Sequence, residues 1–392
     1  MIQSTMKTPY FLIDENLIEK NCKILGRVRR EAGCKILLAQ KAYSCYDTYP
    51  LISKYLDGTT ASGLFEARLG KEKFGKEVHV FAPAFTDADI REIVKICNHI
   101  VFNSKAQLLK HHAICRKHNL EISVRVNPEC KTQETDIYDP CAPMSRFGIK
   151  AQDMDDEIIN LIDGLHFHTL CEQDLEPLVK TLAAFEQKFG KYLSKIKTVN
   201  FGGGHHITRE DYDVDGLIGL IKDFKARHED IQVYLEPGEA IVLNAGFLHA
   251  AVLDIVHNEC DILVLDTSAA CHNPDILETR HDYMPPIVGA SGGSPGGIFA
   301  ARKQQNTKGY FYRLAGNTCL SGDIIGDYTF EKQVSIGDEI VFENMALYTI
   351  VKTNMFNGIN LPSIYVKRLD GKVELLREFG YNDYTNRLGR IK

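Results

Sequence analysis

A chain of 392 residues, 44% apolar and 25% charged with a formal net charge of −6, has the composition of a soluble globular protein and the length of about two domains. It carries no lysine/arginine block of the kind that marks a nucleic-acid surface, and no apolar run near the roughly 20 residues of a membrane span. Its 11 cysteines show neither CxxC pairs nor a repeating spacing, which argues against zinc or a disulfide framework and for reduced thiols in a cytosol.

The N-terminus lacks a signal-peptide apolar core and leads into an apolar run, Tyr10–Ile13. Strand-like runs follow at Lys35–Leu38, Thr59–Ser62, Val78–Ala82, Ile100–Asn103, Ile122–Asn127, Leu165–Thr169, Val199–Phe201 and Val233–Leu235. Between them lie stretches of helical periodicity such as Ser104–Lys117, Leu175–Phe189 and Tyr212–His228. Eight strands, each followed by a helix, is the count of a (β/α)₈ TIM-like barrel, although a doubly wound sheet also alternates in this way. After Glu239 the texture turns all-β: Phe247–His257, Asp261–Asp266, Tyr310–Leu314, Glu339–Val341 and Ser363–Arg368 read as strands, with a hairpin turn at Leu369–Lys372. The Gly/Ser/Pro-rich stretch Pro285–Gly297 reads as a loop within that unit. The expected organisation is an α/β barrel over residues 28–244 and a β-domain over 245–392, joined by the N-terminal segment 1–27, whose Tyr10–Ile13 run supplies a strand.

Barrel enzymes place their chemistry at the C-terminal strand ends. Lys41 follows the first barrel strand, where partial desolvation would lower its pKa and suit Schiff-base chemistry; a surface lysine ending a strand is the plain alternative. Gly202, Gly203 and Gly204 follow TVNF, and consecutive glycines let backbone N–H groups approach a phosphate, or simply make a tight turn. His166 and His168 alternate with Phe167 and would share the inner face, as ring-stacking groups, metal ligands or hydrogen-bonded core residues; no third metal ligand has convincing spacing. Glu236 in YLEPGE is a carboxylate at the end of an apolar strand that needs a cationic partner, either a pyridinium nitrogen or an arginine. In the β-domain, GNTCLSGDIIGDY offers Cys319 and Asp323 as general acid and substrate contact, or else a turn around a structural cysteine.

Taken in order, these residues resemble the fold-type III pyridoxal-phosphate decarboxylases, the family of ornithine, arginine and diaminopimelate decarboxylases. The matching segments are Lys41 in AQKA, Ser145-Arg146-Phe147-Gly148, HFH, GGG, EPG, CLSGD, Tyr348 in ALYT and Phe356-Asn357-Gly358, spanning about residues 10 to 360. HTLCEQ, EPGE and DTSAACHNPDILE resemble the carboxynorspermidine/carboxyspermidine branch of polyamine biosynthesis. The resemblance implies pyridoxal 5′-phosphate on Lys41, His168 stacked on its ring, Gly202–Gly204 and Tyr348 at its phosphate, and Glu236 at its pyridine nitrogen. It also implies a cytoplasmic homodimer with shared active sites, in which Cys319 and Asp323 come from the other subunit, and a polyamine-type substrate whose arm meets Glu239 and Asp275. Two positions depart from the wider family: Thr169-Leu170-Cys171 follow His168 in place of Gly-Ser, and Glu239 stands where most members carry arginine. The rival reactions are decarboxylation of diaminopimelate or another basic amino acid. For the former, Glu239 puts the wrong sign near a second carboxylate. A catalytically dead regulatory relative is the non-enzyme reading, against which Lys41, Glu236 and Cys319 argue.

Overall fold

Short β-branched runs bounded by polar turns become strands here, and the amphipathic stretches between them become the helices that cover one side of those strands. The computed structural model describes residues 6–133, 136–279, 283–293 and 309–390. By internal contacts the chain forms two units, one of Ile18–Leu243 and one of the residues up to Leu17 together with those from Asn244 onward. The chain enters through strand β1 (Tyr10–Asp14) and an 18-residue helix (Glu15–Ala32).

Unit Ile18–Leu243 is the barrel. Its strands are β2 (Lys35–Ala39), β3 (Gly58–Ala61), β4 (Glu77–Phe81), β5 (His99–Phe102) and β6 (Glu121–Asn127), with a two-residue β7 (Ile149–Lys150) beside the end of β6. They continue with β8 (Gly164–His166), β9 (Thr198–Asn200) and β10 (Gln232–Leu235). All pair in parallel in the order β5-β4-β3-β2-β10-β9-β8-β6, and a β5–β6 pairing closes the ring. The outer faces are apolar: Val78, Ile100, Val124, Leu165 and Val233 are each fully buried. Phe167 meets Phe185 of helix Leu175–Phe189 at 4.9 Å between ring centroids, and Phe201 meets Phe224 of helix Val214–Arg227 at 5.2 Å. Side chains of Ser104, Thr86, Asp155 and Asp213 cap the helices that follow them, so each covering helix starts at a defined residue.

The inner face is polar. His79 of β4 lies 4.6 Å from His99 of β5 and 4.9 Å from Tyr234 of β10, and β4 and β10 are not neighbours in the sheet, so the second contact crosses the barrel interior. Phe81 of β4 meets His166 of β8 across the same space at 5.7 Å. Barrels of this class usually fill that space with branched apolar residues.

The second unit is a mixed sheet. Its strands are β11 (Gly246–Asn258), β12 (Cys260–Leu265), β13 (Ala290–Gly293), β14 (Tyr310–Ala315), β15 (Ile324–Phe330), β16 (Glu339–Phe342), β17 (Ser363–Lys367) and β18 (Val373–Arg377). β1 lies between β11, antiparallel, and β17, parallel, so the N-terminal apolar run does complete this sheet. The core is built from Phe11, Leu263, Leu314, Ile325, Phe342 and Met345. Arg368 and Lys372 close the expected hairpin turn between β17 and β18.

Four expectations need correction. The strand expected over Leu165–Thr169 ends at His166, because the chain there turns toward the glycine loop. The end of GNTCLSGDIIGDY, from Ile324, is a strand, β15, whose alternation is hidden by Gly326 and Asp327; the latter is inside the unit because Arg313 pairs with it at 2.7 Å. Ala290–Gly293, read as loop from its glycine content, pairs with β15, while Ser294–Gly297 lie outside the described residues. The unit is not purely β: short helices occupy Ala269–His272, Asp275–Glu278 and Tyr381–Thr385.

Candidate active site

The C-terminal rim of the barrel gathers the lysine, the histidine, the glycines and the carboxylates through backbone register. Ala39 N–H donates to Pro237 O at 2.9 Å and Gln40 N–H to Thr60 O at 3.1 Å, so the exit of β2 is tied on both sides. The buried Gln40 side chain donates to Glu66 O at 2.8 Å and accepts from the Tyr49 hydroxyl at 3.1 Å. Lys41 therefore leaves the strand in one direction, into the barrel mouth. Its side chain opens onto that mouth, but the protein around it strips water from the ammonium. Desolvation, then the Arg125 charge, hold it below the usual lysine range, with Glu239 and Glu236 pulling the other way.

Arg125, on β6 between Val124 and Val126, is buried and donates from Nη2 to His168 O at 2.7 Å. Its guanidinium lies 4.8 Å from the centre of the Phe81 ring and 4.3 Å from that of Phe147, and burial brings its pKa down to about 10. Phe147 belongs to Ser145-Arg146-Phe147-Gly148, which Asn103 holds by donating to Arg146 O and accepting from Gly148 N–H, both at 2.8 Å. His168 Nδ1 accepts from Gly203 N–H at 2.9 Å, which requires the neutral ring; burial first, and the Lys41 and Arg125 charges next, push its pKa well down.

The glycines are demanded by close approach. A Cβ on Gly203 would stand 2.1 Å from Glu236 O, and one on Gly204, at φ +85°, would stand 1.9 Å from Leu170 O. Gly202 N–H donates to Asn200 Oδ1 at 2.8 Å, so two of the three loop N–H groups are engaged by side chains.

Glu236 lies at the centre of this network. Asn200 Nδ2 donates to its Oε1 at 2.8 Å, His166 Nε2 stands 3.5 Å from its Oε2, and its own N–H donates to Gly202 O at 2.7 Å. Burial opposes its ionisation, but His166, then His79 and Asn200, outweigh that and hold the carboxyl well below its usual range. Glu239, in the next turn, is buried and paired with His206 Nε2 at 3.4 Å; burial would lower the histidine's pKa, and Glu239 raises it.

The remaining candidates lie in the sheet unit, where contacts join the segments that carry them. Cys319 is exposed, and its N–H donates to Asn357 Oδ1 at 2.7 Å, which ties CLSGD to Phe356-Asn357-Gly358. Asp323 is buried and accepts from Ser268 Oγ at 2.8 Å, Thr318 Oγ1 at 2.6 Å and the N–H groups of Ala270 and Thr318, both at 3.3 Å. Tyr348 is half-buried at φ +48°, a left-handed conformation that a tyrosine adopts only under constraint. Asp275 is ion-paired with Lys352, which also pairs with Glu278; burial raises the aspartate's pKa and Lys352 opposes it.

Sequence reading missed Arg125, His206, Asn200 and Glu66, whose carboxylate accepts from Ser62 N–H at 2.6 Å. Arg125 was detectable as a charge within the apolar alternation of ISVRV. The other three have ordinary local patterns.

A family model described as "Pyridoxal-dependent decarboxylase, C-terminal sheet domain" matches residues 44–346. The chain is 41% identical to a carboxynorspermidine/carboxyspermidine decarboxylase of Campylobacter jejuni, over 99% of this chain and 100% of that one. It is 38% identical to a carboxyaminopropylagmatine decarboxylase of Synechocystis, over 98% of this chain and 96% of that one. The crystal structure of carboxynorspermidine decarboxylase from Campylobacter jejuni, complexed with norspermidine, superposes with a TM-score of 0.88 at 39% identity, covering 97% of this chain and 100% of that one.

Proposed function

The chain belongs to the pyridoxal-dependent decarboxylases, and from that premise we propose that it removes the carboxylate of carboxynorspermidine or carboxyspermidine, with pyridoxal 5′-phosphate anchored on Lys41. The observation that carries this reading is the single rim on which Lys41, His168, Gly202–Gly204 and Glu236 meet, each held by backbone contacts. The residues fit the cofactor's chemistry. A lysine short of water can be neutral and nucleophilic, a glycine loop allows a close backbone approach where any Cβ would clash, and a buried carboxylate suits a protonated ring nitrogen. When bound, the cofactor supplies an electron sink for the pair of electrons left as carbon dioxide departs.

The chain's own residues do the rest. Lys41, held below its usual pKa, would be the residue that holds the cofactor covalently. His168, fixed by Gly203 and Arg125, presents a neutral ring. Glu236 supplies a charge that Asn200 keeps in one orientation. Cys319, on an exposed turn of the sheet unit, is the candidate proton donor, contributed by a second copy of the chain in a homodimer. Asp323 orders the Thr318–Cys319 turn through its contacts to Thr318, Ser268 and Ala270. Tyr348 is a further candidate for a contact to the phosphate. Glu239 and Asp275 are each candidates for contact with a protonated amine of the substrate arm; His206 stands beside the first and Lys352 beside the second. Reduced cysteines, all 11 of them free, accord with a cytoplasmic enzyme.

The test is carbon dioxide release from a panel holding carboxynorspermidine, carboxyspermidine, carboxyaminopropylagmatine and diaminopimelate. Preference for either of the first two supports the proposal, and preference for either of the others replaces it. Mixing inactive Lys41→Ala with inactive Cys319→Ala subunits tests the shared site: activity returns if one chain completes the other's site. Failure to complement, with subunit exchange shown separately, means that each site is built within one chain.

A further inference from the structure

Beneath Glu236 the barrel interior holds a tier of polar side chains that the proposed chemistry does not use. His166, two residues above Gly164 on β8, turns its Nε2 toward Glu236 Oε2, 3.5 Å away, at the limit of hydrogen-bond reach. Its Nδ1 has no partner among the described residues, and the side chain is 2% exposed. Below it, His99 Nε2 meets Ser123 Oγ at 2.6 Å and the His99 ring lies 4.6 Å from His79. His79 Nδ1, His99 Nδ1 and Thr198 Oγ1 are also buried without a hydrogen bond among the described residues, although His79 Nε2 lies 3.3 Å from Glu77 and His99 Nδ1 3.7 Å from Glu121. Gly164 makes room for the tier, since a Cβ there would stand 2.0 Å from Thr198 Oγ1 and 2.6 Å from Ser123 Oγ.

An apolar filling would satisfy the packing of this space better, because each buried polar atom without a partner opposes folding. The arrangement makes sense if it serves the one buried carboxylate above it. Asn200 grips Oε1 of Glu236, and His166 is a basic side chain set against Oε2 within 4 Å. We propose that His166 is a positioning residue: its ring, backed by His79, His99 and Ser123, keeps the Glu236 carboxylate charged and fixed in orientation for the cofactor's ring. This inference rests on the cofactor reading given above.

The charged and titratable groups that face Glu236 are Lys41 after β2, His79 on β4, His99 on β5, Arg125 on β6, and His166 and His168 at the end of β8. Lys41 and Arg125 also favour the charged carboxylate, so loss of His166 should weaken its ionisation without abolishing it. Burial has His99 and His166 below the usual histidine range, so they act at neutral pH as oriented dipoles.

The test is an infrared pH titration of the full-length apoprotein, with the protonated-carboxyl band of Glu236 identified by its loss in Glu236→Gln. Pyridoxal phosphate affinity is measured alongside at about pH 8 and about pH 5.5, on either side of the free histidine value. In His166→Leu the band should appear at least about one pH unit higher than in the wild type. In His166→Leu cofactor affinity should fall roughly tenfold at both pH values, because the carboxylate stays charged at each but is no longer held in one orientation. His166→Gln, which keeps a donor of similar reach, should restore both. His166→Asn is too short to reach the carboxylate and leaves the space polar, so it should behave as His166→Leu does and stands in for it if the leucine variant does not fold. An unchanged titration in a folded His166→Leu or His166→Asn protein overturns the inference, as does a His166→Gln protein no better than the leucine variant. If the wild type binds no pyridoxal phosphate, the proposed function fails, while the apoprotein titration still reports on His166.

Discussion

The interiors of the two units solve opposite problems. The sheet unit buries Phe11, Leu263, Leu314, Ile325 and Phe342 against one another, an ordinary apolar core in which area removed from water drives folding. The barrel packs most of its apolar residues between strands and helices, and inside its strands sets His79, His99, Ser123, Arg125, His166 and Glu236 beside Phe81. A protein tolerates a polar interior when the charges in it are needed. Burial there lowers the Lys41 pKa and makes the contacts of Glu236 strong, because little water competes with them. The sheet unit carries its candidate residues differently, on turns whose geometry is set by buried hydrogen bonds such as those of Asp323.

That contrast can be broken by substitution. The largest effect should come from Lys41→Ala: turnover drops below detection and borohydride no longer fixes the cofactor to the chain, while thermal stability is unchanged or improved because a desolvated cation is gone. Peptide mapping after reduction of the wild type checks the site, and a label on any other lysine defeats the assignment.

Acid should distinguish the units next. His99, His166, His168 and His205 of the barrel all lie below the usual histidine range because they are buried, His205 at about 3. Each must take up a proton when the chain unfolds below about pH 6.5, so barrel stability is complete above that pH and falls as the pH drops toward the folded values. His206, raised by Glu239, works in the opposite sense. In the sheet unit, His272, at about 4, acts in the same direction, so the loss there should be smaller. Hydrogen exchange read by peptide mass spectrometry between about pH 7 and pH 5 should show β4, β5 and β8 losing protection before β14 and β15. Equal loss in both units would mean that the buried histidines do not set the acid response.

Leu314→Ala should cost about 2–5 kcal/mol, the range for emptying a fully buried leucine site, and denaturant unfolding measures it. His99→Leu in the barrel should cost much less, since it replaces an incompletely partnered polar group with an apolar one. If the two losses match, the polar interior is as well packed as the apolar one and the contrast drawn here is wrong.

The smallest effects concern the substrate arm. Glu239→Gln should lower kcat/KM for carboxyspermidine by roughly ten- to a hundredfold with cofactor loading unchanged, the loss expected of one charge-assisted contact. Asp275→Asn should cost less, roughly severalfold, because Lys352 and Glu278 remain beside it. Wild-type efficiency in both variants would remove these residues from the arm's site.

The sequence by itself was enough for the barrel, the added sheet and the family. Alternation of period two and amphipathic stretches are local properties, and Lys41, the glycines and Glu236 stand at strand ends wherever those strands are drawn. Tertiary structure decided what partners those residues have. Nothing near Asp323 in the chain indicates that Ser268 and Ala270 will donate to it, nor does ALYTIVK announce that Lys352 will pair with Asp275. His166 and His168 look equivalent in HFH, yet one closes on the glycine loop and the other on Glu236, because β8 ends between them. Strand period follows from neighbours along the chain, whereas the charge state of a buried group depends on neighbours across it, and only closure of the barrel brings β4, β8 and β10 together.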